Sequence, residues 1–180
     1  MDFIAQINAK KVILTLILGF QLCADIKNED SPYISYTKEI VASFVDDSEK
    51  AYGLNCIGTG GKFATNVGQI DIRFLAHRRG SIEEARTLEV NMIQKLLKTL
   101  NGNEKIRPFL AEYPFKAKDL HLSISFQNEK NDYYYDESIA YVSHIKNRLF
   151  YDKADPSTKK LIDSFEESYD EAVKIVNGGN

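Results

Sequence analysis

Tryptophan is absent, and cysteine, methionine, histidine and proline are scarce, with two, two, three and four residues in a chain of 180. Each shortage excludes something. Two cysteines, Cys23 and Cys56, cannot build a disulfide framework. The three histidines show no H-x-x-x-H or H-E-x-x-H spacing, so no ready-made zinc motif exists. Neither sign of charge dominates: 23 basic and 26 acidic residues leave a formal net charge of −3. That mildly acidic balance argues against nucleic acid as the main partner, because phosphate backbones are gripped by clustered Lys and Arg. No apolar run approaches the about 20 residues that a membrane-spanning helix needs. G-x-S-x-G is missing, and no cofactor motif is present. Gly58-Thr59-Gly60-Gly61-Lys62 fails as a phosphate loop, because Phe63 stands where Ser or Thr is required. A glycine turn is the simpler reading.

The N terminus carries the most specific pattern. Lys10 and Lys11 precede the eleven uncharged residues Val12 to Leu22, and Cys23-Ala24-Asp25 follow. A basic head, a short apolar middle and a small-residue processing site make an export signal. The competing reading is a buried N-terminal strand or helix of a cytoplasmic protein. Ala24 at −1 with Leu22 at −3 is an acceptable, imperfect cleavage site. Cys23 offers a second route, lipidation after cleavage before the cysteine, although Phe20-Gln21-Leu22 is a poor lipobox. Membrane association would arise only through such an anchor. The chain is therefore read as an export signal peptide over 1–24, a polar, flexible lead-in over 25–35 and a single α+β domain over 36–177. Loss of residues 1–24 leaves 156 residues with 21 basic and 25 acidic side chains. That is enough chain to bury a core without disulfide or metal staples.

Hydrophobic periodicity predicts the elements. A first helix spans about Tyr36 to Tyr52 and stops at Gly53. A short strand at Leu54–Ile57, the glycine turn and a strand over Gln69–Arg78 follow. Ser81-Ile82-Glu83-Glu84 has the form of a capping box before a helix with Ala85, Leu88, Met92, Leu96 and Leu100 on one face. Asp119–Gln127 and Ser138–Lys146 alternate as strands, and Asn147-Arg148 turns into a strand at Leu149–Tyr151. Leu161, Ile162, Phe165, Tyr169, Ala172, Val173 and Val176 suggest a final helix. The order αββαβββα, with one apolar face per strand, predicts an antiparallel sheet with helices packed on one face. A permuted ferredoxin-like sandwich would fit that order.

Four stretches invite a functional reading. Tyr133-Tyr134-Tyr135 sits in a polar loop, where three adjacent rings cannot all be buried, and tyrosine suits recognition surfaces. His77-Arg78-Arg79 forms a basic edge that could meet an acidic partner, or simply pair with Glu83 and Glu84. Pairing Phe126 with Ile139 would place His121 directly across from His144 on the face away from the helices. With His77 as third ligand, these imidazoles could hold a metal; ordinary cross-strand pairs are commoner. Cys56 reads as a small buried hydrophobe rather than a catalytic thiol.

GLNCIGTGG (53–61), AHRRGSIEEARTLEVN (76–91), EKIRPFLAEYPF (104–115) and KNRLFYDK (146–153) resemble a family of small exported bacterial proteins of unknown function, over most of residues 36–177. The resemblance implies an exported domain and transfers no mechanism. The expected function is therefore a non-catalytic binding or interaction protein of the bacterial envelope, periplasmic or secreted, contacting a protein or envelope component. The expected contacts are Tyr133–Tyr135 and His77–Arg79. The alternatives are a metal-binding protein or enzyme using the sheet histidines, and a secreted effector. An open sheet face with His121, Ser123 and Ser125 would also suit contact between copies.

Overall fold

The computed structural model describes residues 31–178. The expected signal over 1–24, with Cys23, lies outside the described residues, as does the lead-in up to residue 30. Helix α1, Pro32–Tyr52, begins four residues before the expected start, so the last part of the lead-in is helical. Proline at the first helical position explains this, since its missing N–H is one the helix leaves unpaired anyway. Tyr33, Thr37, Ile40, Val41, Phe44 and Ser48 form the buried stripe. The two buried hydroxyls are satisfied inside the helix: Thr37 donates to the Tyr33 carbonyl and Ser48 to that of Phe44, both at 2.7 Å. Gly53 closes the helix at φ 62° with its N–H on the Glu49 carbonyl, a conformation that costs side-chain-bearing residues more.

Strand β1, Asn55–Lys62, absorbs the expected glycine turn. Gly58, Gly60 and Gly61 lie in the ladder opposite Arg73, Asp71 and Ile70 of β2, Gln69–Ala76. The chain instead reverses over residues 63–68. Helix α2, Ile82–Gly102, carries the chain to β3, Leu120–Phe126, through two short 3₁₀ turns. Strands β2 and β3 are adjacent and parallel, Ile72 opposite Leu122, so β2-α2-β3 is a crossover unit. The other pairings are antiparallel: β4, Tyr141–Ile145, on β3; β5, Arg148–Ala154, on β4; β6, Leu161–Ser168, on β5. Six strands thus lie in chain order. This keeps the expected α+β class and helix–strand order, with one strand added before the last helix. It departs from a ferredoxin-like sandwich, in which the parallel pair is split by another strand.

The added strand is the main correction to the element boundaries. Residues 161–168 pair with β5, and only Tyr169–Val176 form helix α3. Leu161, Phe165 and Tyr169 recur every fourth residue, a spacing that suits one side of a strand as well as one side of a helix. The switch to helix is marked at Ser168. Its side chain accepts from the Glu171 N–H at 3.2 Å and the Glu171 carboxylate accepts the Ser168 N–H at 3.0 Å. A complete capping box therefore stands here. At α2, Ser81 does accept the Glu84 N–H, but the Glu84 carboxylate turns to Arg78 instead.

All three helices cover one face. Ile70, Ile72 and Phe74, Leu120, Leu122, Ile124 and Phe126, Val142, Leu149 and Tyr151 are buried beneath them. Phe44 of α1 meets Phe74 edge-on at 6.4 Å, and Tyr169 of α3 meets His144 edge-on at 5.2 Å. No described helix is long and apolar enough to cross a membrane.

Candidate functional site

The pleat of the sheet decides which side chains can meet. Side chains alternate between faces, so shifting a strand by one residue exchanges its faces. Strand β4 shows the effect. Its register sets His144 opposite Leu122, Ser143 opposite Ser123 and Val142 opposite Ile124. The expected register is off by one residue. Ile139 is held instead by Gly80, whose carbonyl takes its N–H at 2.9 Å, while the Phe126 N–H goes to the Ala140 carbonyl at 2.8 Å. His144 is consequently buried under the helices and His121 remains on the far face. His77 sits at the end of β2 with Nδ1 3.0 Å from the Asn128 carbonyl. The expected His77–His121–His144 metal set does not assemble. Among the described residues no three His, Cys, Asp or Glu side chains form a metal-sized cluster.

The far face, uncovered by helices, holds a polar depression of about 240 Å³. Asp71 and Arg73 reach it from β2, His121 and Ser123 from β3, Tyr141 and Ser143 from β4. Two rows run across it. In one, Asp71 stands beside His121. Gln69 Nε2 donates to Asp71 Oδ1 at 2.5 Å and lies 3.0 Å from His121 Nδ1, which is 3.4 Å from Asp71 Oδ1. In the other row, Arg73 stands beside Ser123 and Ser123 beside Ser143. Neither serine hydroxyl has a hydrogen-bond partner among the described residues, although both residues are only 6% exposed. Among the described residues no serine hydroxyl bonds His121.

An apolar groove of about 390 Å³ lies between α1 and β1, lined by Ile34, Val41, Val45, Phe63 and Cys56 among others. The Cys56 thiol is half-buried there, 3.8 Å from the Gly58 carbonyl, consistent with a small hydrophobe. Its backbone N–H is capped by the Glu49 carboxylate at 2.7 Å.

The tyrosine loop and the basic edge come together. The Arg79 guanidinium lies 4.3 Å over the Tyr134 ring and donates to Asp136 at 3.0 Å. Bonds from Ser138 and then the Arg79 charge hold the Asp136 carboxyl down at about 2. Lys159 sits 3.7 Å over Tyr135. Arg78 donates to Glu84 at 2.7 Å and to the Gly53 carbonyl at 3.1 Å. These groups are thus largely occupied with one another. Tyr133 and Tyr134 are half-buried, and Tyr135 is barely exposed at 37%.

A buried polar cluster under α2 escaped sequence reasoning. Glu167 accepts from Tyr151 at 2.5 Å and from Arg86 at 2.7 Å. Glu89, fully buried on α2, has no partner for either carboxylate oxygen among the described residues. Burial drives its pKa well above the carboxylate range, so the side chain is a neutral acid. Burial also lowers His144 to about 4; its Nε2 has no partner among the described residues, while Nδ1 is 2.8 Å from the Leu120 carbonyl. Tyr169 is pushed up to about 12, chiefly by burial. The one available signal was Glu89 itself, an acid one residue after Leu88 within the apolar stripe of α2. No known protein family, curated protein or solved structure matches this chain.

Proposed function

We propose that the protein is a non-catalytic binding protein, exported to the bacterial envelope, whose contact surface is the helix-free face of its sheet. The observation that carries the reading is the pair of hydroxyls on Ser123 and Ser143. They line a polar depression without hydrogen-bond partners among the described residues. Buried or half-buried polar groups ordinarily find partners, so such groups in a concavity suit a polar ligand. The Lys10–Ala24 pattern of basic head, short apolar middle and small-residue site supports the location. The Tyr133–Tyr135 loop and His77–Arg79 edge are secondary candidates, because their polar groups already bond internally.

Two measurements test the reading. Intact mass of protein recovered from the envelope of an exporting bacterium should show a chain beginning at Asp25 or a lipid-bearing Cys23; a chain still beginning at Met1 would overturn export. Isotope-labelled protein mixed with a soluble envelope extract should show amide shifts at Ser123 and Ser143, which Ser143→Trp abolishes by filling the depression. Shifts confined to Tyr133–Tyr135 would move the contact surface to that loop.

A further inference from the structure

We infer that the protein pairs with a second copy of itself through the open edge of β6, strand against antiparallel strand about a two-fold axis. The contact goes beyond the proposed binding face and leaves that face uncovered. Six strands in chain order leave two edges, β1 and β6. Strand β6 has β5 as its single strand neighbour, so alternate residues aim their backbone N–H and C=O groups away from the sheet. Ile162 and Phe165 are 48% and 43% exposed on this edge, although both are apolar. A bulge brings them to one face. Phe165 stands opposite Tyr151 and Asp163 opposite Asp152, so Ser164 is an extra residue. Ile162, opposite Lys153, therefore shares the helix-bearing face with Phe165. The Phe165 ring lies 5.6 Å from that of Tyr151, at the margin of the core.

Charge selects a second copy as the partner and sets its direction. Lys159 and Lys160 precede the strand, and Glu166 and Glu167 stand near its end. Antiparallel pairing of two copies sets the basic end of one against the acidic end of the other; parallel pairing sets like charges together. One register also satisfies the faces. With Ile162 opposite Phe165 of the second copy, Leu161 meets Glu166, Lys160 meets Glu167 and Asp163 meets Ser164. Each extra residue then falls beside the axis, so face matches face on both sides of the bulge. Two pairs of an aromatic with a β-branched side chain form, a favourable cross-strand combination. Asp163 opposes the contact, because the axis brings its two copies together. Strand β1 offers no such match: its exposed large apolar side chain is Ile57 alone, and its one charge is Lys62. Because helix-bearing face joins helix-bearing face, the polar depressions of both copies open on the same side of one continuous sheet. Two sites held side by side raise the avidity for a ligand that repeats.

The test uses the full chain, isotope-labelled, in sedimentation and amide spectra over a range of concentrations. A strand-edge contact is smaller than the about 800 Å² per partner of a standard interface, so the dimer should be reversible and assemble at about 0.1–1 mM. Amide shifts with concentration should map to residues 160–167 and leave β1 unmoved. Ile162→Glu should weaken assembly about tenfold, since both cross-strand pairs change at once. Lys153 on the neighbouring strand compensates the new charge within the single chain, so the fold is kept. Lys160→Glu should also weaken assembly, and Asp163→Asn should tighten it. A chain that stays monomeric across that range, or assembly unchanged by Ile162→Glu, overturns the inference. Species that grow beyond a dimer, with shifts at both β1 and β6, mean head-to-tail stacking of one edge on the other and overturn the two-fold contact.

Discussion

The two faces of the sheet are built from the same strands, yet they treat polar groups in opposite ways. Beneath the helices, polar atoms are few and deeply buried. Glu167 is satisfied twice over, by Tyr151 and Arg86, while Glu89 stays neutral and His144 uncharged. On the far face, Ser123 and Ser143 alternate with those core positions, and their hydroxyls, without partners among the described residues, line an open depression that water can enter. A polar group under the helices has to be paired or discharged, because low dielectric penalises free charge. One residue along the strand, water removes that demand. The face that can leave donors unpaired is the face that can offer them to a ligand.

The largest expected effect lies in the buried pair. Arg86 and Glu167 are 12% and 5% exposed. Glu167→Ala leaves the guanidinium uncompensated and should destabilise by about 3–5 kcal/mol. Urea denaturation measures it; a loss below about 1 kcal/mol would mean that water reaches Arg86 and that the inner face is not dry.

Leu122 and Ser123 are chain neighbours on opposite faces. Leu122→Ala should cost about 2–5 kcal/mol through the cavity it leaves, and Ser123→Ala should stay within about 0.5 kcal/mol. Equal losses in denaturation experiments would erase the contrast between the faces.

Glu89 and His144 should leave opposing marks on the pH dependence of stability. Glu89 is raised in the fold, so the folded state holds its proton longer; stability falls as pH rises above the ordinary carboxylate value of 4.5. His144 is lowered from 6.5 to about 4, so the unfolded state binds the proton first; stability falls as pH drops from 6.5 toward 4. The two slopes oppose each other between about 4.5 and 6.5 and flatten the native profile there. Glu89→Gln removes one slope and should steepen the acid-side loss. Urea midpoints at several pH values read this directly, and parallel profiles for the native and variant chains would contradict the assigned protonation states.

The smallest effect belongs to the surface aromatic pair. Tyr134→Ser removes the ring under Arg79 and should cost about 0.5–1 kcal/mol. Binding of envelope ligand should be unaltered, whereas loss of binding with stability intact would shift the contact surface to the tyrosine loop.

Much of the architecture was legible in the amino-acid sequence because it depends on local chemistry. The Leu88–Leu100 stripe, the Ser81 cap and the alternation of Leu120 to Phe126 each bury one face in whatever tertiary setting they meet. The turn at Lys146 and Asn147, both at positive φ, lies within one residue of the expected Asn147-Arg148 turn. Candidate sites were less legible. The strand pattern puts both His121 and His144 on the far face; the structure keeps His121 there and buries His144, a difference of one residue in register. The open edge of β6 is hidden in the sequence, because Leu161, Ile162 and Phe165 read as part of a helix.

By itself, the sequence determined the α+β class, the apolar stripes of α1 and α2, the Ser81 cap, and the separation of apolar from polar sides within β2 and β3. Those are properties of short segments, whose periodicity and capping groups act over a few residues. The tertiary structure alone decided the crossover that makes β2 and β3 parallel, the sixth strand at 161–168 and the β4 register. It also decided which polar groups are paired. These outcomes rest on hydrogen bonds between distant residues, such as Ile139 to Gly80 and Phe126 to Ala140. Ladder partners are chosen by the whole assembled sheet, and periodicity within one strand carries no record of them.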